Sequence, residues 1–373
     1  MRTEKGKGSH AKFAEEATLR EGRQRQKQIP YGNDKQEKQV QKQERQVQKQ
    51  AVERIVALDW SGRVDAAGQR RHIWAGVWTA GAVVTLEAGR TRDEVAEWLI
   101  EMAVKTPRMV IGIDCCFSFP AWFLKEHRCR TVFDFWEKVA AGQGELWLAR
   151  ECEDVARDER FWGKPHKRPE QFCGEGYRRM MRGTDWENKV AQSLEGGDAV
   201  RAAKMKGITP KSPFQIGGSG SVGTGSLRAM PFLLRLREAG FRVWPFEDAA
   251  LETNDKGRSP AGMTTRKATV TMGANASVRP LVVEMYTRLM TGAVAKSNAV
   301  ARKKYLAAKR KEDALYAEIS RGVMKKAEGS EDAFDALVSV LEMVRQRADF
   351  GGLRATKDGE LRLEGITWRP GVH

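Results

Sequence analysis

The stretch RIVALDWSG, residues 54–62, decides how the chain is read. Four apolar residues, Ile55 to Leu58, form a run that reads as a buried strand, and the run stops on Asp59. A strand interior has no use for an unpaired carboxylate, because desolvating a charge is costly unless a partner compensates it. At a strand's end an acid either caps a turn or faces a site, and the rest of the chain must decide between the two. RMVIGID, residues 108–114, repeats the pattern: an apolar run that ends on Asp114.

Between these two runs, RRHIWAGVWTA (70–80) and AVVTLEA (82–88) read as strands joined by a turn at Gly81. TRDEVAEWLIEMAVKT (91–106) has Val95, Trp98, Leu99 and Met102 at the spacing of one helical face. Thr91 with Glu94 makes a capping box at its start, and Pro107 closes it. The order strand, strand, strand, helix, strand lets the first three strands form an antiparallel meander. The helix then returns the fourth strand parallel to the first, which predicts an α/β fold with a mixed sheet flanked by helices.

Downstream, residues of about 120–228 read as a large insertion of loops and short helices, ending in the glycine-rich SPFQIGGSGSVGTGS (212–226). MPFLLRLREAG (230–240) reads as a helix, and FRVWPFE (241–247) and PLVVEMY (280–286) as strands. Residues 296–328 form a basic helical region. SEDAFDALVSVLEMVRQR (330–347) is an amphipathic helix with Ser330 as its N-cap, and LRLEGITWRP closes the chain as a strand or hairpin. Residues 1–52 are Lys-, Gln- and Glu-rich with an approximate repeat, QVQKQER then QVQKQAV, and are expected to be a disordered or frayed polar tail. Residues 53–373 are expected to form one elaborated domain.

The formal charge of +16 makes the surface attractive to polyanions, nucleic acid above all, or else bears only on solubility and nonspecific association. No apolar run approaches the roughly 20 residues that cross a bilayer, and the first residues lack the apolar stretch of a secretory signal. The five cysteines form no CxxC pair, and their odd number argues against a complete disulfide framework. The expectation is a cytoplasmic protein with no membrane partner. A zinc site from His127, Cys129, Cys152, His166 and Cys173 fits no common spacing.

Five acids stand out. Asp59 and Asp114 end the first and fourth strands, Glu284 lies inside the apolar run VVEMY, and Asp332 and Asp335 lie three apart on the last helix. Converging carboxylates repel and raise one another's pKa unless a cation compensates them. Hard oxygen donors suit Mg²⁺ or Mn²⁺, and two such ions about 4 Å apart serve phosphodiester hydrolysis. Read singly, Asp332 is also explained as first-turn helix charge and Asp114 as a loop cap.

ALDWSG, IGIDCCFSFP, SPFQIGGSGSVGTGSL, FRVWPFE, VVEMYTRL, DAFDALVSVLEM and the closing EGITW, in this order, resemble the family called domain of unknown function 429. The resemblance spans residues of about 54–370 and implies a predicted nuclease of RNase-H-like fold. It implies that Asp59, Asp114, Glu284 and Asp335 are catalytic, and that the same four with Asp332 hold Mg²⁺ or Mn²⁺. Thr287 stands where that family is expected to carry proline.

Two further features point to a polyanion. The loop with Gly217, Gly218, Gly220 and Gly223 reads as a phosphate cradle, a substrate-facing loop or a solvated linker, and it matches neither standard nucleotide-binding pattern. Arg302, Lys303, Lys304, Lys309, Arg310 and Lys311 are dense enough to neutralise several backbone phosphates, or else form a solvated helix face. Phe161, Trp162, Tyr177 and Trp186 interleave with Arg178, Arg179 and Arg182, which suits core packing or base stacking. The expected function is a metal-dependent nuclease hydrolysing DNA or RNA phosphodiesters. The alternatives are a non-catalytic nucleic-acid-binding protein retaining the fold, and an ATP-binding protein of the sugar kinase and actin type. The last requires a duplicated domain with a second phosphate-binding turn, which the sequence does not offer.

Overall fold

Six strands make one sheet in the computed structural model, and two more, β5 (Arg150–Cys152) and β6 (Val155–Ala156), pair as a separate hairpin. The structure describes residues 52–152, 155–190, 208, 210–218, 221–248 and 278–371, so the expectation for the tail falls almost wholly outside it. β1 (Arg54–Asp59) pairs antiparallel with β2 (Trp74–Thr79), and β2 antiparallel with β3 (Thr85–Glu87). On its other side β1 pairs parallel with β4 (Met109–Asp114), and β4 with β8 (Leu281–Met285). β7 (Arg242–Trp244) adds a parallel edge. The meander and the parallel return are therefore as the sequence predicts, and the chain is α/β with a mixed sheet.

Several boundaries differ from the sequence reading. Residues 70–72 belong to a helix, α1 (Ala66–His72), whose N-cap Asp65 accepts from the Gly68 N–H. The strand over 82–88 shrinks to three residues. The C-terminal strand is replaced by the short helix Leu361–Glu364 and a single bridge from Trp368 to Met285. The helix expected over 230–240 starts eight residues earlier and absorbs the end of the glycine-rich loop. By contrast α2 (Arg92–Lys105) carries the expected Thr91–Glu94 capping box, worth about 1 kcal/mol.

The sheet is covered on both sides, and side-chain alternation sorts its residues between the two cores. Val56, Leu58, Ile111, Ile113 and Val282 face a core built with α2, α3 (Val222–Glu238) and an aromatic cluster of Phe119, Phe123, Phe135 and Trp147 from the insertion. Ile55, Ala57, Val110, Leu281, Val283 and Met285 face the other core. That second layer continues after the short α4 (Thr287–Thr291) with α5 (Ala299–Glu312), α6 (Arg321–Gly329) and α7 (Glu331–Arg345). Helix α7 lies directly on β1 and β2 and is buried almost all round. Gly76 permits that approach: a Cβ there would stand 2.4 Å from the Ala336 carbonyl oxygen. The sheet's neighbours thus bring the start of α7 to the carboxyl ends of β1 and β4.

Candidate metal and phosphodiester site

The register Leu58↔Ile113 places Asp59 and Asp114 one step beyond, side by side at the ends of adjacent parallel strands. Both belong to the alternation class that faces α7; Asp335 of α7 shares the Thr287 hydroxyl with Asp114, and the charges of both bear on Asp59. Thr287, the first residue of α4, ties the group together. Its hydroxyl lies 3.0 Å from Asp114 Oδ2 and 3.4 Å from Asp335 Oδ2, and its backbone N–H donates to Asp114 Oδ1 at 3.3 Å. Thr287 therefore clamps two of the acids.

Lys296, in the loop between α4 and α5, brings a positive charge into the cluster. Its ammonium is ion-paired with Asp335 and lies 3.6 Å from Glu331 Oε1. Burial raises the Asp59 pKa well above its ordinary value, and the charges of Asp335, Asp114 and Asp332 add to the effect. Burial also raises Asp114, partly offset by Lys296 and the Thr287 hydrogen bonds. Asp335 is pushed by burial up to about 6, against the pull of Lys296. For Lys296 itself, burial works against the charge, but Asp335, Asp59 and Asp114 outweigh it and hold the ammonium protonated.

Two acids stand differently from expectation. Glu284 is on the opposite face of the sheet from the cluster, sharing its alternation with Val282. Arg182 donates to both its oxygens, at 2.7 and 2.6 Å; the Phe117 N–H (2.7 Å) and the Thr367 hydroxyl (2.7 Å) complete the set. Arg182 also holds Asp185 at 2.9 and 3.0 Å. Glu284 lines the same cleft as Asp59 and Asp114, but its four hydrogen bonds engage both oxygens, so in this arrangement it is paired with Arg182 rather than joined to the other acids. Asp332 lies beside the cluster but turns to His72, with Oδ2 2.9 Å from Nδ1.

A cleft of about 1120 Å³ opens over this corner. Asp59, Asp114, His72, Lys296 and Asp332 line one side, and Gly217, Gly218, Ser221, Thr224 and Gly225 line another. The glycine-rich loop therefore faces the acids; Gly223 packs instead against the Pro213 carbonyl, and Gly220 lies outside the described residues. Trp60 donates through Nε1 to the Gly225 carbonyl (3.1 Å), and a Cβ on Gly62 would stand 2.8 Å from the Gly225 nitrogen. That contact locks the WSG turn to the start of α3 and fixes the mouth of the cleft.

The cleft also carries Arg63, Arg150, Lys211, Arg228 and Arg288. These, with Lys296 and His72, are the site residues that sequence reading missed; they lie in loops and at helix ends, except Arg150 in a short strand and Arg228 within α3. Of the basic helix, Lys303, Lys304, Arg310 and Lys311 are exposed on α5 and Lys309 half-buried, none lining the cleft. Arg302 does not fit the phosphate-binding role: it is buried and donates to the Glu328 carbonyl. Phe161, Trp162 and Tyr177 are core residues, as is Arg182.

The donor set fits a hard divalent cation. Asp335 Oδ1 is buried without a hydrogen-bond partner, and none of the described residues donates a hydrogen bond to the Asp59 carboxylate. Three carboxylates kept from protonation only at a cost are oxygen ligands of the kind Mg²⁺ and Mn²⁺ prefer. Among the described residues no three His, Cys, Asp or Glu side chains stand in a ready coordination group, the cysteine and histidine set included. All five cysteines are free, and burial raises the thiols of Cys115 and Cys116 well above their ordinary value. No described helix is long and apolar enough to cross a membrane. No family model, curated protein or solved structure matches the chain.

Proposed function

We propose that the chain is a divalent-metal-dependent nuclease of RNase-H-like fold, hydrolysing phosphodiester bonds of DNA or RNA. The observation that carries this reading is the meeting of Asp59, Asp114 and Asp335 at the carboxyl ends of β1 and β4, beneath a basic cleft. The strand order supports the fold: an antiparallel β3-β2-β1 meander followed by parallel β4, with β8 in the next place and β7 added at the edge. Asp59, Asp114 and Asp335 would hold Mg²⁺ or Mn²⁺, with Asp332 at the margin. A pair of such ions supplies charge stabilisation for the attacking and leaving oxygens.

The chain's own groups do the rest. Arg63, Arg150 and Lys211 attract the phosphate backbone without reading sequence. The glycine-rich wall lets a backbone pass close to the acids, and Thr287 keeps Asp114 and Asp335 in one orientation. A kinase-like or actin-like ATP site is disfavoured, because the described residues hold one six-stranded sheet and a two-stranded hairpin rather than a duplicated domain. The test is cleavage of single-stranded, double-stranded and branched DNA and RNA, with and without Mn²⁺ or Mg²⁺. Divalent-dependent cleavage that Asp59→Asn abolishes in a folded protein is the expected result. Absence of cleavage on the whole panel, or an equally active Asp59→Asn, overturns the proposal; binding without cleavage leaves a nucleic-acid-binding module.

A further inference from the structure

The acid cluster comes with a cation of its own, and the fold goes to some length to keep it there. The Lys296 side chain is only 21% exposed and ion-paired to Asp335, whose side chain is 1% exposed. A lysine in a loop otherwise keeps its ammonium in water, where hydration favours it. Here the loop is fastened from both ends. Arg288 donates to the Val294 carbonyl, and Arg302, buried in the basic helix, donates to the Lys296 carbonyl itself and to that of Glu328. The one arginine of α5 that cannot reach solvent is thus the one that aims the lysine.

The same carboxylates cannot serve two cations equally well. Lys296 occupies Asp335 Oδ2 and draws on Asp59 and Asp114, the oxygens a divalent ion would use. Cations sharing one set of carboxylates also repel at short range, and that antagonism is reciprocal. We propose that Lys296 is the resident counter-ion of the acid cluster and that a divalent cation loads the site in competition with it, so that this lysine sets the divalent concentration the site requires. The inference rests on the metal-site reading above and adds the regulation of that site.

The test measures Mn²⁺ binding directly, by the electron paramagnetic resonance of free Mn²⁺, in the full chain and without substrate. Lys296→Gln is expected to bind Mn²⁺ at least ten-fold more tightly than the unaltered protein, and Lys296→Arg to stay close to it. A folded Lys296→Gln that binds Mn²⁺ no more tightly overturns the competition while leaving the metal site standing. If neither protein binds Mn²⁺, the metal-site reading itself fails, and this one with it. Should Lys296→Gln not fold, amine labelling of the unaltered protein, read by mass spectrometry, decides. Lys296, 21% exposed and ion-paired, is expected to label slowly without Mn²⁺ and several-fold faster when Mn²⁺ saturates the site. Unchanged labelling under conditions where Mn²⁺ binds refutes displacement.

Discussion

Asp59→Asn is expected to make the metal-free protein more stable while removing its response to divalent ions. The substitution keeps the side chain's shape and deletes one charge from a cluster that repels it. Among the described residues no hydrogen bond holds the Asp59 carboxylate, so none is removed. The scale comes from its neighbour: Asp335 is pushed from 3.8 up to about 6, and at about 1.4 kcal/mol per unit keeping it ionised costs about 3 kcal/mol. Asp59 is raised by burial and by three other carboxylates, with Lys296 as the opposing charge, so a relief of about 2 kcal/mol follows. In a chain of this size that is a rise in Tm of roughly 2–6 °C. The assay is thermal unfolding at pH 7.5 with chelator and then with millimolar Mn²⁺. The unaltered protein should melt lower in chelator and gain from Mn²⁺; Asp59→Asn should start higher and gain little. If Asp59→Asn melts lower than the unaltered protein in chelator, the carboxylates are not held under mutual repulsion and the reasoning fails.

Other expectations follow from the same geometry. Arg182→Met leaves Glu284 and Asp185 buried without their cation and should cost about 3–5 kcal/mol by denaturant unfolding. Glu284→Gln should lower Tm yet keep the Mn²⁺ affinity of the unaltered protein, whereas a large loss of affinity restores it as a ligand. Because folding raises the Asp335 pKa, its contribution to metal-free stability is present below the ordinary value and lost as pH rises through about 6. The Tm of the metal-free unaltered protein should therefore fall between pH 5 and 7.5, and Mn²⁺ binding should strengthen over the same window; calorimetry at both pH values checks each. Charge reversal at Lys303, Lys304, Arg310 and Lys311 should flatten the dependence of nucleic-acid binding on salt by about 0.9 for each phosphate no longer neutralised. An unchanged slope assigns phosphate binding to the cleft bases alone.

Asp59 and Asp114 were legible because a buried apolar run ending on an acid needs only local pattern, and their adjacency needs only the crossover rule that returns β4 parallel to β1. Asp335 was legible from its helix and from family resemblance. Glu284 stands apart from the other acids for a reason that register alone exposes: within β8 it is Met285, not Glu284, that pairs with Asp114. One residue's slip along a strand exchanges the faces of the sheet, and nothing local to VVEMY records which face the acids use. Its partner, Arg182, lies about a hundred residues earlier in a segment without periodicity. Lys296 was invisible in the sequence because a loop lysine in a chain with 65 Lys and Arg carries no signal until the fold shows what it faces.

The bond from Arg182 to Glu284 bears on how this chain can be shortened. The segment between residues 120 and 228 looks dispensable from the order of strands, an addition hung on the side of a simpler sheet. Yet it delivers the guanidinium that neutralises the centre of β8, and its loops form the far wall of the cleft. Excising it would strand a bare carboxylate in the middle of the sheet, so a minimal version must exchange Glu284 for an apolar residue in the same step.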